Sequence, residues 1–167
     1  QEGSHSFIVV ATNEHGFEGS DTYNWEIDLT QPLISVSGPE GKINVSTVSY
    51  SLSSNEENSS YECSKDLEPW STCTSPKEYS GLAEESHTFH FRTIDPAGNI
   101  SESSSKTITI DLTLPVITID SGPEGYWASS TATYEFSTDE PSSTECNIDS
   151  LEWESCTSPK EYSGLAE

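Results

Sequence analysis

The chain has 167 residues, with 29 acidic side chains against 6 basic ones and a formal net charge of −23. This balance excludes a nucleic-acid partner, which needs clustered Lys and Arg, and opposes adsorption to an anionic membrane. No apolar run is long enough to span a bilayer and no signal peptide is present, so any export signal or anchor is expected outside these residues.

In chain order, apolar residues alternate with polar ones in short stretches. Phe7, Val9 and Ala11 form the first; NEHGF (Asn13 to Phe17) interrupts, and IDLTQP (Ile27 to Pro32) reads as a linker. Ile34 and Val36 precede the turn SGPEG (Ser37 to Gly41), and Val48, Tyr50 and Leu52 precede the polar loop SNEENSS. Tyr61 to Lys65 and Trp70 to Thr74 flank a turn at Asp66 to Pro69. Phe89, Phe91 and Thr93 lead into PAGN, and Ile108 and Ile110 into a second linker, IDLTLP (Ile110 to Pro115). Ala132, Tyr134 and Phe136 resume the alternation. Short period-two segments punctuated by Gly, Pro, Ser and Asn predict an all-β chain of antiparallel sandwiches.

The segment CTSPKEYSGLAE runs from Cys73 to Glu84 and again, letter for letter, from Cys156 to Glu167, an offset of 83 residues. Cys63 with Cys146 and Trp70 with Trp153 keep that offset. SGPEG recurs at Ser121 to Gly125 with offset 84, so one extra residue lies between Pro115 and Ser121; EGSHSF (Glu2 to Phe7) matches EESHTF (Glu84 to Phe89) at 82. These identities define an internal repeat. The boundaries are the back end of one unit (1–30), one complete unit (31–113) and the front end of a third (114–167). Two arrangements fit: a window on a longer tandem array, or partial units that complete each other between neighbouring chains. Either yields a linear string, because head-to-tail contacts that do not close a ring extend indefinitely.

A unit of this size is small for an independent core. Cys63 with Cys73, and Cys146 with Cys156, recur at one spacing and read as one disulfide per unit formed in an oxidising compartment, each worth roughly 2 to 3 kcal/mol. A metal site would want CxxC spacing or histidine partners, and the sequence offers neither.

Taken together, CTSPKEYSGL, SHTFHFRTIDPAGN and ITIDLTLPVITI resemble the bacterial immunoglobulin-like repeats of very large, secreted, multi-repeat surface proteins, and the resemblance covers the whole chain. It implies tandem Ig-like sandwiches serving as a spacer or adhesive stalk. One departure is NEHGF, which stands where the complete unit has DPAGN (Asp95 to Asn99), so a role for that loop is not uniform along the string.

With Ig-like strand order, the loop at Asn55 to Ser60 and the loop at Asp95 to Asn99 lie at the pole where the preceding unit's last strand arrives carrying Asp28. Asp28, Glu56, Glu57, Asp95 and Asn99 are therefore candidate ligands for Ca²⁺, a hard cation that takes oxygen from several loops. Asp111 with Asp139 and Glu140 form the candidate set at the next junction. The competing reading is a set of acidic loop tips in an acidic protein. N-x-S/T sequons fall at Asn44, Asn58 and Asn99. His87 and His90, three apart on one strand, point to opposite faces and do not make a shared metal site. Trp70 and Trp153 are expected to cover the disulfides. The chain is expected to be a non-enzymatic, extracellular or cell-surface structural protein, a stalk, filament or sheath built from copies of itself end to end. The alternatives are an adhesive or glycan-binding module and a non-catalytic spacer in a larger secreted protein.

Overall fold

The computed structural model describes residues 2–149 and 151–166; Glu167, the last letter of the second CTSPKEYSGLAE copy, lies outside them. Every regular element among the described residues is a β-strand. The chain divides into two units, Gln1–Leu112 and Thr113–Glu167, so the predicted 1–30 and 31–113 segments share the first.

The first unit opens with a hairpin of β1 (Gly3–Thr12) and β2 (Glu18–Ile27), paired along their full length from Gly3↔Ile27 to Thr12↔Glu18. Eight strands follow: β3 (Ile34–Ser37), β4 (Gly41–Ile43), β5 (Val48–Ser54), β6 (Ser60–Lys65), β7 (Ser71–Cys73), β8 (Lys77–Tyr79), β9 (Ser86–Ile94) and β10 (Ser104–Ile110). They form a five-stranded sheet, β4-β10-β9-β6-β7, and a three-stranded sheet, β3-β5-β8. Strict alternation in β5 and β9 aims one face of each strand inward, so Val48, Tyr50 and Leu52 share one core cluster with Phe89 and Phe91, and His87 and Thr93 are buried on the same face of β9. Tyr50 lies 5.1 Å from both Phe89 and Phe91, and Ile108 and Ile110 of β10 close the cluster. Two sheets sharing one core make this part of the chain a β-sandwich.

Two features go beyond the sequence reading. SGPEG is not only a turn: its last glycine begins β4, which pairs parallel to β10 in an otherwise antiparallel set. Gly38 in the same segment faces Tyr50 so closely that a Cβ would stand 2.3 Å from the ring. Gly122 has the same relation to Tyr134, at 2.4 Å.

The second unit consists of β11 (Ile117–Ser121), β12 (Thr131–Thr138), β13 (Glu145–Cys146), β14 (Glu154–Ser155) and β15 (Lys160–Ser163), in sheets β11-β12-β15 and β13-β14. Its registers copy those of the first unit. Ile119↔Phe136 repeats Val36↔Leu52, Ala132↔Tyr162 repeats Val48↔Tyr79, and Cys146↔Glu154 repeats Cys63↔Ser71. The extra residue before the second SGPEG appears as a β-bulge between Ile119 and Ser121, which absorbs one residue without moving the strand pairing on either side. No counterparts of β4, β9 and β10 occur among the described residues of this unit. Its apolar residues are correspondingly uncovered: Ile119 is 70% exposed, whereas Tyr50, Phe89 and Phe91 in the first unit are fully buried.

Both disulfides form as paired in sequence, Cys63–Cys73 and Cys146–Cys156, with Cα separations of 5.9 and 5.8 Å. They indicate an oxidising environment. The identical CTSPKEYSGLA segments make matching contacts in the two units. Ser75 Oγ accepts a hydrogen bond from the Leu52 amide at 2.8 Å, and Ser158 Oγ one from Phe136 at 2.9 Å. Lys77 and Lys160 each lie 5.1 Å over the following tyrosine ring, and the amides of Leu82 and Leu165 bind the carbonyls of Ser46 and Ser130. Trp70 lies 4.4 Å from the Arg92 guanidinium with its edge toward His90, and Arg92 also pairs with Glu62, so this tryptophan belongs to an outer-face cluster on β9.

Candidate metal centre

The loop after β9 begins with Asp95, which is buried by the turn it organises. Its Oδ1 accepts the amides of Gly98 and Asn99 at 2.7 and 2.8 Å, and its Oδ2 accepts the Asn99 side chain at 2.8 Å. Burial pushes the carboxyl upward, but hydrogen bonds from the Asn99 side chain and from the Asn99, Gly98 and Ala97 amides outweigh it and hold the group below the usual carboxylate range. The turn is anchored from behind by Ser101, whose Oγ accepts the Thr93 amide while its own amide donates to the Thr93 carbonyl.

Asn99 also reaches the end of the hairpin: its Nδ2 donates to the Asp28 carbonyl at 3.0 Å. The Asp28 side chain is set by its own local turn, accepting the Thr30 amide at 3.0 Å. The third acid, Glu56, comes from the loop after β5, where Ser54 Oγ accepts its amide and Ser59 Oγ donates to its carbonyl. One carboxylate oxygen from each of Asp28, Glu56 and Asp95 lies within 4.8 Å of the others. Burial and the negative charges of Asp28 and Asp95 all push the Glu56 carboxyl upward. Three carboxylates at this spacing suit a hard cation, since oxygens on opposite sides of a Ca²⁺ at 2.3–2.6 Å stand about 4.6–5.2 Å apart.

Of the predicted ligands at this pole, the structure thus unites Asp28, Glu56 and Asp95. Asn99 spends its side-chain nitrogen on positioning two of them, and Glu57 lines the same cavity as Asp28 and Glu56, together with Glu26, Pro96 and Ala97. Glu26 was not anticipated; it stands two residues before Asp28 in an extended segment, which places both on one side. A glycan on Asn99 would displace at least one of its two hydrogen bonds, whereas Asn44 and Asn58 are exposed. Asp111 belongs to the first unit and Asp139 and Glu140 to the second. Asp139 takes the place of Asn55: its Oδ1 accepts the Val116 amide at 2.8 Å, as Asn55 Oδ1 accepts that of Leu33. Around Asn13 the hairpin loop keeps the DPAGN backbone pattern, with the amides of His15 and Phe17 on its Oδ1, but it supplies an uncharged amide where Asp95 supplies a carboxylate.

His87 is a buried strut of the first unit. Its Nδ1 is 2.7 Å from Asp66 Oδ2 and its Nε2 3.1 Å from the Ala83 carbonyl. Burial alone would depress its pKa, but the Asp66 hydrogen bond, the Ala83 carbonyl and the charges of Asp66 and Glu85 leave it raised above the usual histidine value. Comparison with known proteins finds no matching family model and no matching curated sequence.

Proposed function

We propose that this chain is a structural, extracellular repeat protein in which Ig-like sandwiches join end to end as a stalk, filament or sheath. The observation that carries this reading is the agreement of the two units in strand register, disulfide placement and the Gly–Tyr contact, at the offset of the sequence repeat. Such agreement makes each unit a copy of one building block, and successive copies that contact only their neighbours build an array. The disulfides support an extracellular location, and a net charge of −23 keeps neighbouring lines apart in solution.

In this reading the acidic pole is the joint. Asp28 is delivered by the strand that ends one sequence repeat, whereas Glu56 and Asp95 come from the loops of the next, all three within the first compact unit. A Ca²⁺ bound there relieves their mutual repulsion and fixes the exit of the linker. Thermal unfolding with added Ca²⁺ and then with EDTA tests the joint: the reading expects a higher midpoint with Ca²⁺ and its loss on chelation. An unchanged midpoint removes the cation from the proposal.

A further inference from the structure

All three N-x-S/T sequons, at Asn44, Asn58 and Asn99, fall in the complete repeat. At the repeat offsets of 84, 83 and 82 residues their counterparts are Ala128, Pro141 and Phe17, none of which offers a side-chain amide. The folded chain treats the three asparagines differently. Asn99 is closed: its Nδ2 donates to the Asp28 carbonyl and to Asp95 Oδ2, which uses both amide hydrogens. The hydroxyl of that sequon belongs to the buried Ser101 and accepts the Thr93 amide. Asn44 is exposed, but its sequon is pinned on both sides, since the Ile43 carbonyl accepts the Asp111 amide and the Ser46 carbonyl that of Leu82. Asn58 is open. It is exposed in the loop between β5 and β6, at φ 58° in the left-handed region that asparagine tolerates, and among the described residues its side chain has no hydrogen-bond partner. The loop is held without it: Ser54 Oγ donates to Ser59 Oγ at 3.1 Å, and Ser59 Oγ donates to the Glu56 carbonyl at 3.0 Å. Ser60, which carries the hydroxyl two residues on, is exposed as well.

From this contrast, and resting on the extracellular reading above, we infer that Asn58 carries an N-linked glycan and that Asn99 stays bare. The donor is an oligosaccharide joined to a lipid diphosphate. A bond forms between Asn58 Nδ2 and the anomeric carbon of the sugar, and the bond from that carbon to the diphosphate oxygen breaks. The amide gives up one proton, and the diphosphate leaves with the bonding pair. The Ser60 hydroxyl is the element of the sequon that the transferring enzyme reads. Transfer of this kind belongs to the export route that also forms disulfides. A glycan placed on Asn99 before folding would keep the Asp95 turn from closing, because one of the two Nδ2 hydrogens that hold it would be gone. At Asn58 no such bond is lost. The glycan there stands two residues from Glu56, and its hydrated bulk covers an exposed loop tip of the kind that proteases nick.

Peptide mapping by tandem mass spectrometry of the protein isolated from its source tests this, with free thiols alkylated before reduction. The expected result is sugar mass on the peptide that holds Asn58, an unmodified Asn99, and no alkylation of Cys63, Cys73, Cys146 or Cys156. In the native gene, Ser60→Ala leaves Asn58 in place and is expected to abolish its modification, whereas Ser60→Thr restores it. Enzymatic removal of the glycan is expected to speed cleavage after Glu57 by a glutamyl-specific protease severalfold. A bare Asn58 in protein whose cysteines are paired overturns the inference and leaves the extracellular reading standing. A bare Asn58 together with alkylated cysteines overturns both. Sugar on Asn99 of the folded protein, or sugar on Asn58 that survives Ser60→Ala, also overturns the inference.

Discussion

The Cys63–Cys73 disulfide is predicted to supply a large part of the first unit's stability. The two cysteines are 10 residues apart and lie in the core, Cys63 at 2% and Cys73 at 9% exposure. Reduction leaves both sulfur atoms in place, so packing in the native state is nearly preserved and the cost falls on the unfolded chain, which regains the entropy of the opened loop. For a loop of this length the chain-entropy expression gives about 2.7 kcal/mol at 25 °C. At about 4–8 °C per kcal/mol for a domain of this size, the midpoint falls by roughly 10–20 °C. The assay is differential scanning calorimetry of the chain with and without a phosphine reductant, repeated on a Cys146→Ala/Cys156→Ala variant so that only the first unit's bond changes. A fall of less than about 5 °C would refute the reasoning, because the shift is set by loop entropy. Such a result would mean that the three β6–β7 pairs and the Ser75–Leu52 bond already hold that loop in the denatured ensemble.

Gly38→Ala drives a methyl group into the Tyr50 ring and is predicted to cost about 1–3 kcal/mol, read as a lower midpoint in urea. Gly41→Ala, at φ +82° with open space around it, costs about 1–2 kcal/mol from backbone strain alone. The His87–Asp66 pair gives stability a defined pH window. His87 is raised above 6.5, so its contribution is complete below pH 6.5 and is lost as pH rises through the folded value; Asp66 is lowered from 3.8, so its contribution is lost only as pH falls below that. Unfolding midpoints should therefore decline from pH 6 to 8, and Asp66→Asn should flatten that decline. Glu56→Gln removes one of three crowded carboxylates: the variant should melt higher than the parent without Ca²⁺ at neutral pH and gain less when Ca²⁺ is added, as thermal scans at matched ionic strength would show.

Much of the architecture was legible because burial imposes a period of two. The alternation at Val48, Tyr50 and Leu52 and at Phe89, Phe91 and Thr93 marks the two inward faces, and the recurring cysteine spacing marks the staple. The insertion before the second SGPEG was legible as an offset of 84 instead of 83, and it is the β11 bulge. The parallel β4–β10 pair was not legible, since three residues, Gly41 to Ile43, carry no alternation long enough to register. At the acidic pole the sequence marked loops rich in oxygen, and the structure selected among them. Asp95 is held by its turn and Asp28 by its own, and the three-carboxylate group is Asp28, Glu56 and Asp95, with Glu57 lining the cavity beside it. The buried role of His87 was hidden because its partner, Asp66, lies 21 residues away in a turn that gives no sign of facing β9.

The central claim is a linear array of equivalent sandwiches, and electron microscopy of the native material, with and without EDTA, tests it most directly. The account predicts long, regular fibres whose axial repeat equals one unit or two, with straightness lost on chelation. Isolated, flexible particles that EDTA does not change would contradict both the array and its acidic joint.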